Sequence, residues 1–322
     1  FLMIRRPPRS TLRHTLFHTT LFRSAFRAAL GAARALPYAA RIRAFGTLAA
    51  RVLAPATRLG TRIDQNLSHV FPEMPRPERA RIAREAADGI GRTTAEFYSG
   101  RELMRRMARV TPTGPGLAAL QAARAEGRPV LLMSAHFGNY FAARACLLAR
   151  GIESDGFIRP MANPLVNRHY VAAMEALGGE ALLQGPAGIK GLISALRRGR
   201  AVMLLNDLYV GTGVELPFLG RPAMTSTAPA EIAARTDALM IPVFGIRRPD
   251  GLCFDVALDA PLPQGDVLQT TRAYNASVEA RIRAHPGQWL WSHRRWKRKW
   301  NKGKDLPDDL HPAELPARRA RL

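Results

Sequence analysis

From about residue 114 onward, short apolar runs alternate with longer segments of helical period, and that alternation leaves few folds open. Residues 117–126, 141–150, 164–177, 189–198, 228–236 and 268–284 read as helices. Residues 129–134, 154–158, 181–184, 201–206, 239–246 and 253–258 read as strands. Strands separated by helices call for crossover connections. The expectation is therefore an α/β sandwich with a mostly parallel central sheet.

One of these strands matters more than the others. In Val130–Tyr140, VLLMSAHFGNY, an apolar run ends on small residues and delivers His136 to a turn before the next helix. A rigid strand can fix an imidazole, and the amides at a helix start can hold an anion, so His136 is a candidate general base. A histidine that merely caps the helix is the alternative at this point.

The rest of the chain divides around this α/β region. Phe1–Ser24 contains no acidic residue and no apolar core of a signal peptide. It resembles translated sequencing-adapter sequence and is set aside as non-native, which leaves the natural N-terminus and any anchor unread. Residues 25–110 are expected to be helical and to face a membrane. Within them Arg27, Arg34 and Arg41 recur every seven residues, with a kink expected at Pro37, and no window is long and uncharged enough to span a bilayer. Residues 77–98 form an amphipathic helix with Ile82, Ala86, Ile90 and Phe97 on its apolar side. Residues 111–300 carry the α/β domain, and 301–322 read as a disordered tail. The formal net charge is +23, so an anionic partner is expected. Cys146 and Cys253 sit in apolar stretches and read as buried thiols. No metal-ligand spacing is present.

Several blocks share a resemblance. The run His136-Phe137-Gly138-Asn139-Tyr140-Phe141 resembles the "HFGNWE" signature of the bacterial lipid A biosynthesis acyltransferase family, within the glycerolipid acyltransferase superfamily. Asn66, Leu67, Phe71, Pro72 and Glu73 match its "NL…FPE" segment, and Asp155–Pro160 its "YRP" block. Ala201–Leu208 is similar to its strand ending in "DQ", Val214–Ala223 to "FFGrpa", and Ala233–Val243 to "A.rtgapvvPv". Pro286–Lys297, PGQWLWSHRRWK, is nearly identical to its C-terminal block. Together these span Asn66 to about Lys297.

The resemblance implies a glycerolipid-acyltransferase-like α/β sandwich and a membrane-associated O-acyltransferase. Its His136 would deprotonate a hydroxyl of a lipid A precursor or lysophospholipid, which attacks an acyl thioester. Acyl carrier protein or coenzyme A would carry the thioester, with no other cofactor and no metal. Asp207 is a second candidate catalytic residue, and Asn139, Arg159, Gly220 and Arg221 are candidates for binding substrate, the arginines through a phosphate. The partners implied are the acyl carrier and anionic membrane lipid, without nucleic acid, at the cytoplasmic face of a bacterial inner membrane.

One position departs from the pattern. Phe141 stands where the family has an acid, and a side chain there is expected to look towards the imidazole. Either another carboxylate such as Asp207 substitutes, or the protein is a catalytically impaired lipid-binding homologue, a competing reading; a nucleic-acid-binding protein, favoured by charge alone, is a distant third. Trp289, Trp291, Trp296 and Trp300 interleave with arginines and lysines, a composition suited to a membrane interface, with Trp289 and Trp291 expected in the core.

Overall fold

A computed structural model describes residues 35–297 of the chain. Arg27, Arg34, Trp300 and the tail beyond residue 300 lie outside the described residues. The α/β architecture is the one the alternation implies. A six-stranded sheet is built from β1 (Val130–Ser134), β2 (Ser154–Ile158), β3 (Ala181–Leu183), β4 (Ala201–Leu205), β7 (Leu239–Arg247) and β8 (Phe254–Leu258). Its order is β3-β2-β4-β1-β7-β8, with only β8 antiparallel to its neighbour.

The helices before the sheet are α1 (Tyr38–Leu48), α2 (Leu59–Val70), α3 (Arg76–Phe97), α4 (Gly100–Met107) and α5 (Gly116–Ala125). Between strands lie α6 (Tyr140–Leu148), α7 (Pro164–Glu175), α8 (Pro186–Arg197) and α9 (Ala228–Thr236), and α10 (Val267–Ala284) follows β8. Helices cover both faces because the strands are apolar on both. Along β1 the side chains alternate: Leu131 and Met133 enter one core with α2, α10 and the C-terminal tryptophans. Val130 and Leu132 enter the other, with Phe97, Phe141 and the buried face of α6.

Two strands were not expected. Val214–Phe218 (β5) and Arg221–Thr225 (β6) form a separate antiparallel hairpin. Its tip is Leu219-Gly220, both at positive φ (52° and 77°), the backbone twist that suits a two-residue hairpin loop. Gly220 thus supplies left-handed backbone at the tip.

In the N-terminal region Pro37 is the N-cap of α1 rather than a kink within a helix. Arg41 does not share a solvated face: it is buried and ion-paired with Glu102 of α4. A π-helical stretch, Ala49–Leu53, follows α1 and leaves Leu48, Val52 and Leu53 about half exposed. Among the described residues no helix is long and apolar enough to cross a membrane. Cys146 is buried as expected, but Cys253 is exposed, on the turn before β8.

Candidate active site

The sheet places the site. β1 is flanked by β4 on one side and β7 on the other, and the chain leaves β1 towards one side and later returns on the other. In open α/β sheets the crevice at such a reversal, beyond the carboxyl ends of the strands, is the natural binding position. His136 lies two residues beyond β1, and Asp207 two residues beyond β4.

These two side chains meet. His136 Nδ1 and Asp207 Oδ1 are 2.8 Å apart, and the His136 amide donates to Asp207 Oδ2 at 2.9 Å. The indole N–H of Trp289 donates to the same Oδ2 at 2.9 Å. Asp207 is fully buried, while the His136 side chain keeps 26% of its surface. Burial would raise the Asp207 carboxyl, but the His136 charge and these three hydrogen bonds outweigh it and hold the group below its ordinary range. An ionised Asp207 only accepts hydrogen bonds, so the neutral form of the imidazole carries its proton on Nδ1 and has the Nε2 lone pair for chemistry.

The turn around His136 is fixed by backbone. Leu290 N–H donates to the His136 carbonyl (3.0 Å), and Gly138 N–H to the Gln288 carbonyl (2.8 Å). At Gly138, φ is +55° and a Cβ would stand 2.1 Å from the Gly245 carbonyl oxygen, so only glycine fits. The C-terminal block that resembles the family most closely therefore braces the histidine turn.

Phe141 does not face the imidazole. It is buried against Phe97, ring centroids 4.1 Å apart and stacked. The ring of α6 that approaches His136 is Tyr140, edge-on at 5.7 Å. The expectation that position 141 looks at the histidine is corrected: the helix turns that face into the aromatic core, and the carboxylate partner comes from β4 instead.

Asn139, expected to touch substrate, is fully buried. Its side-chain oxygen caps α6 by accepting from the amides of Phe141 and Ala142 (2.9 and 3.1 Å). Its Nδ2 donates to Glu96 (2.7 Å), whose carboxylate is gripped at both oxygens by Arg247 at 2.6 Å each. Burial pushes Glu96 upward, against the pull of Arg247 and Asn139. Asn139 thus ties α6 to α3 and β7 beneath the site.

Arg159 is exposed immediately after β2, close enough to His293 for its charge to oppose that ring's protonation. Arg221, partly exposed, pairs with Phe218 next to the hairpin tip.

The tryptophan block is interior. Trp289, Trp291 and Trp296 are all buried, as is Arg295, which donates to the Met224 carbonyl and Thr225 hydroxyl of β6 at 2.6 Å each. The core expectation for Trp289 and Trp291 agrees with this, whereas the membrane-interface reading of Trp296 does not. Three contributors are not marked in the sequence: Glu96, Arg247 and His293. Nothing in their local sequence marks them except the block that contains His293.

His293 accepts from the Tyr209 amide through Nε2 (3.1 Å). Burial lowers its pKa to about 4, with the charges of His136, Arg295 and Arg159 acting in the same direction and Asp207 against it. The unfolded chain takes up this proton near pH 6.5 and the folded protein only near 4, so stability falls with pH across that window. A fall from pH 7 to pH 5 is expected to remove about 2 kcal/mol through His293. Urea unfolding of the parent and of His293→Gln at both pH values checks this: equal losses in the two proteins would contradict it.

Comparison with known proteins agrees with the geometry. A sequence model of the bacterial lipid A biosynthesis acyltransferase family matches residues 10–298. The lipid A biosynthesis lauroyltransferase of Escherichia coli is 29% identical over 279 residues, covering 81% of this chain and 87% of that one. The phosphatidylinositol mannoside acyltransferase of Mycobacterium tuberculosis is 29% identical over 276 residues, covering 82% and 85%. A lipid A biosynthesis acyltransferase of Haemophilus influenzae is 24% identical over 266 residues, covering 80% and 81%. The chain belongs to the bacterial lipid A biosynthesis acyltransferase family and is an acyltransferase.

Proposed function

We propose that the protein transfers a fatty acyl chain from a thioester of acyl carrier protein or coenzyme A to a hydroxyl of an anionic lipid, with His136 as general base. The His136–Asp207 contact carries this reading. Nε2 of His136 takes the proton of the acceptor hydroxyl as its oxygen attacks the thioester carbonyl carbon. Asp207 keeps the ring in the required tautomer and stabilises the imidazolium. As the C–S bond breaks, the imidazolium returns the proton to the departing thiolate. Arg159, exposed on the same edge of the sheet, receives a phosphate of the acceptor.

The relatives are named for lipid A biosynthesis and for phosphatidylinositol mannoside, both of them lipids. We assign this chain the same broad acceptor class, with a lipid A precursor first. The Asp207 carboxylate beside the imidazole supports the active reading over that of an impaired lipid-binding homologue. Incubating the purified protein with acyl carrier protein or coenzyme A thioesters and a lipid A precursor or lysophospholipid tests the proposal. Acylated lipid is expected; no product from either donor would overturn it.

The site of action is the cytoplasmic face of a bacterial inner membrane. The exposed Leu48, Val52 and Leu53, beside Arg51, support this, in a stretch that has no acidic residue before Asp64. Binding to anionic vesicles is expected to weaken steeply with salt, since exposed charges are screened over about 8–10 Å at ordinary ionic strength. Sedimentation with phosphatidylglycerol vesicles measures it, and binding indifferent to salt and lipid charge would count against the placement.

A further inference from the structure

The α10 residue Tyr274 is buried, 1% exposed, and its hydroxyl is not idle. It donates to the Ser134 carbonyl at 2.6 Å and accepts from the Asn206 amide at 3.2 Å. Ser134 is the last residue of β1 and stands two before His136; Asn206 follows β4 directly and precedes Asp207. The two strands are neighbours, with Ser134 opposite Leu205 as their final pair. A single hydroxyl is thus inserted between an amide and a carbonyl of adjacent strand ends. A direct N–H···O bond would bring those two atoms to about 2.9 Å. Here the hydroxyl carries the link between the two strands, at the point where His136 and Asp207 leave the sheet.

We infer that Tyr274 is a positioning residue for the acyl transfer proposed above: its bridge sets the spacing of the β1 and β4 ends and so the 2.8 Å contact between His136 and Asp207. The links are short, one residue on the Asp207 side and two on the His136 side, and leave little slack to absorb a shift of either strand. Burial, with Asp207 acting in the same direction, pushes the phenol well above its ordinary value, so the bridge stays protonated at any working pH. A tyrosine hydroxyl that only satisfied its own burial would need one partner. This one takes two, on the two strands that carry the dyad.

The inference rests on the proposed reaction, and the test separates the two. Tyr274→Phe keeps the ring and removes the bridge. Its kcat is expected to fall by about 10- to 100-fold through displaced catalytic groups, with KM for the thioester within about twofold. The downfield proton resonance of His136 Nδ1–H should shift or vanish in the folded variant. Ile282→Val, a buried apolar change on the same helix, serves as the stability control and should lower the melting temperature without moving kcat or the resonance.

A Tyr274→Phe enzyme with parental kcat, or one that loses activity only as Ile282→Val does, would overturn the inference. If the parent protein transfers no acyl group, the proposed function fails while the resonance still decides this point: an unchanged signal in Tyr274→Phe refutes the bridge. Should that variant not fold, 3,5-difluorotyrosine at 274 retains the shape and weakens the hydroxyl as an acceptor. Altered kcat and resonance would then support the bridge, and no change in either would refute it.

Discussion

Asp207→Asn is expected to lower acyl-transfer turnover by about 10⁴-fold while the fold survives. The size follows from which atoms the carboxylate serves. Oδ2 accepts from the His136 amide and the Trp289 indole, and Oδ1 from His136 Nδ1. An asparagine placing its oxygen at the Oδ2 position keeps the first two bonds, so the turn stays built. Its amide nitrogen then faces Nδ1 and donates to it. The imidazole proton is forced onto Nε2, the atom that must accept the hydroxyl proton, and the negative charge that stabilises the imidazolium is gone. His136→Ala removes the base itself and is expected to cost more, on the order of 10⁶-fold. Steady-state assays with melting curves for both variants measure this. An Asp207→Asn enzyme within tenfold of the parent would show that the carboxylate does not orient the base.

Restoring the family's acid at position 141 is expected to harm the protein and bring no gain in rate. Phe141 is 4% exposed and stacked on Phe97, with the Tyr140 ring also in contact with it. A glutamate there loses the ring stacking and buries a carboxylate among aromatic side chains, a cost on the order of 3–5 kcal/mol where no partner compensates the charge. The imidazole already holds its carboxylate on the other side of the site, so turnover per folded molecule should stay at the parental value. Denaturant unfolding and active-site-normalised rates of Phe141→Glu check both halves. A stable variant with turnover raised a hundredfold would mean that α6 presents position 141 to His136 after all.

Local sequence accounts for the elements around His136. The strand ending at Ser134, the turn at His136 and the helix after it follow from an apolar run, a glycine that must take positive φ and an asparagine that caps. All are properties of neighbouring residues. The strands of the sheet are legible for the same reason: each is a short apolar run bounded by turn residues, and the crossover connections make all but β8 parallel. The β5–β6 hairpin is not legible as strands, because its solvent-facing residues and two prolines weaken the pattern.

Which side chain partners the histidine was a different kind of question. Position 141 follows His136 by five residues, and sequence spacing pointed there; but helical phase turns that side chain into the core. Asp207 lies 71 residues away and reaches the ring only because β1 and β4 are adjacent in the sheet. Its selection depends on strand order, which local sequence does not encode. Glu96 with Arg247, Tyr274 and the Trp289 indole join the site in the same way, from α3, β7, α10 and the C-terminal turn. The α/β class, the histidine at the strand end and the family are all legible in the residues themselves. The hydrogen-bond partners of that histidine come from folding, because a partner is chosen by distance in space, and here the contacts that set it are long-range.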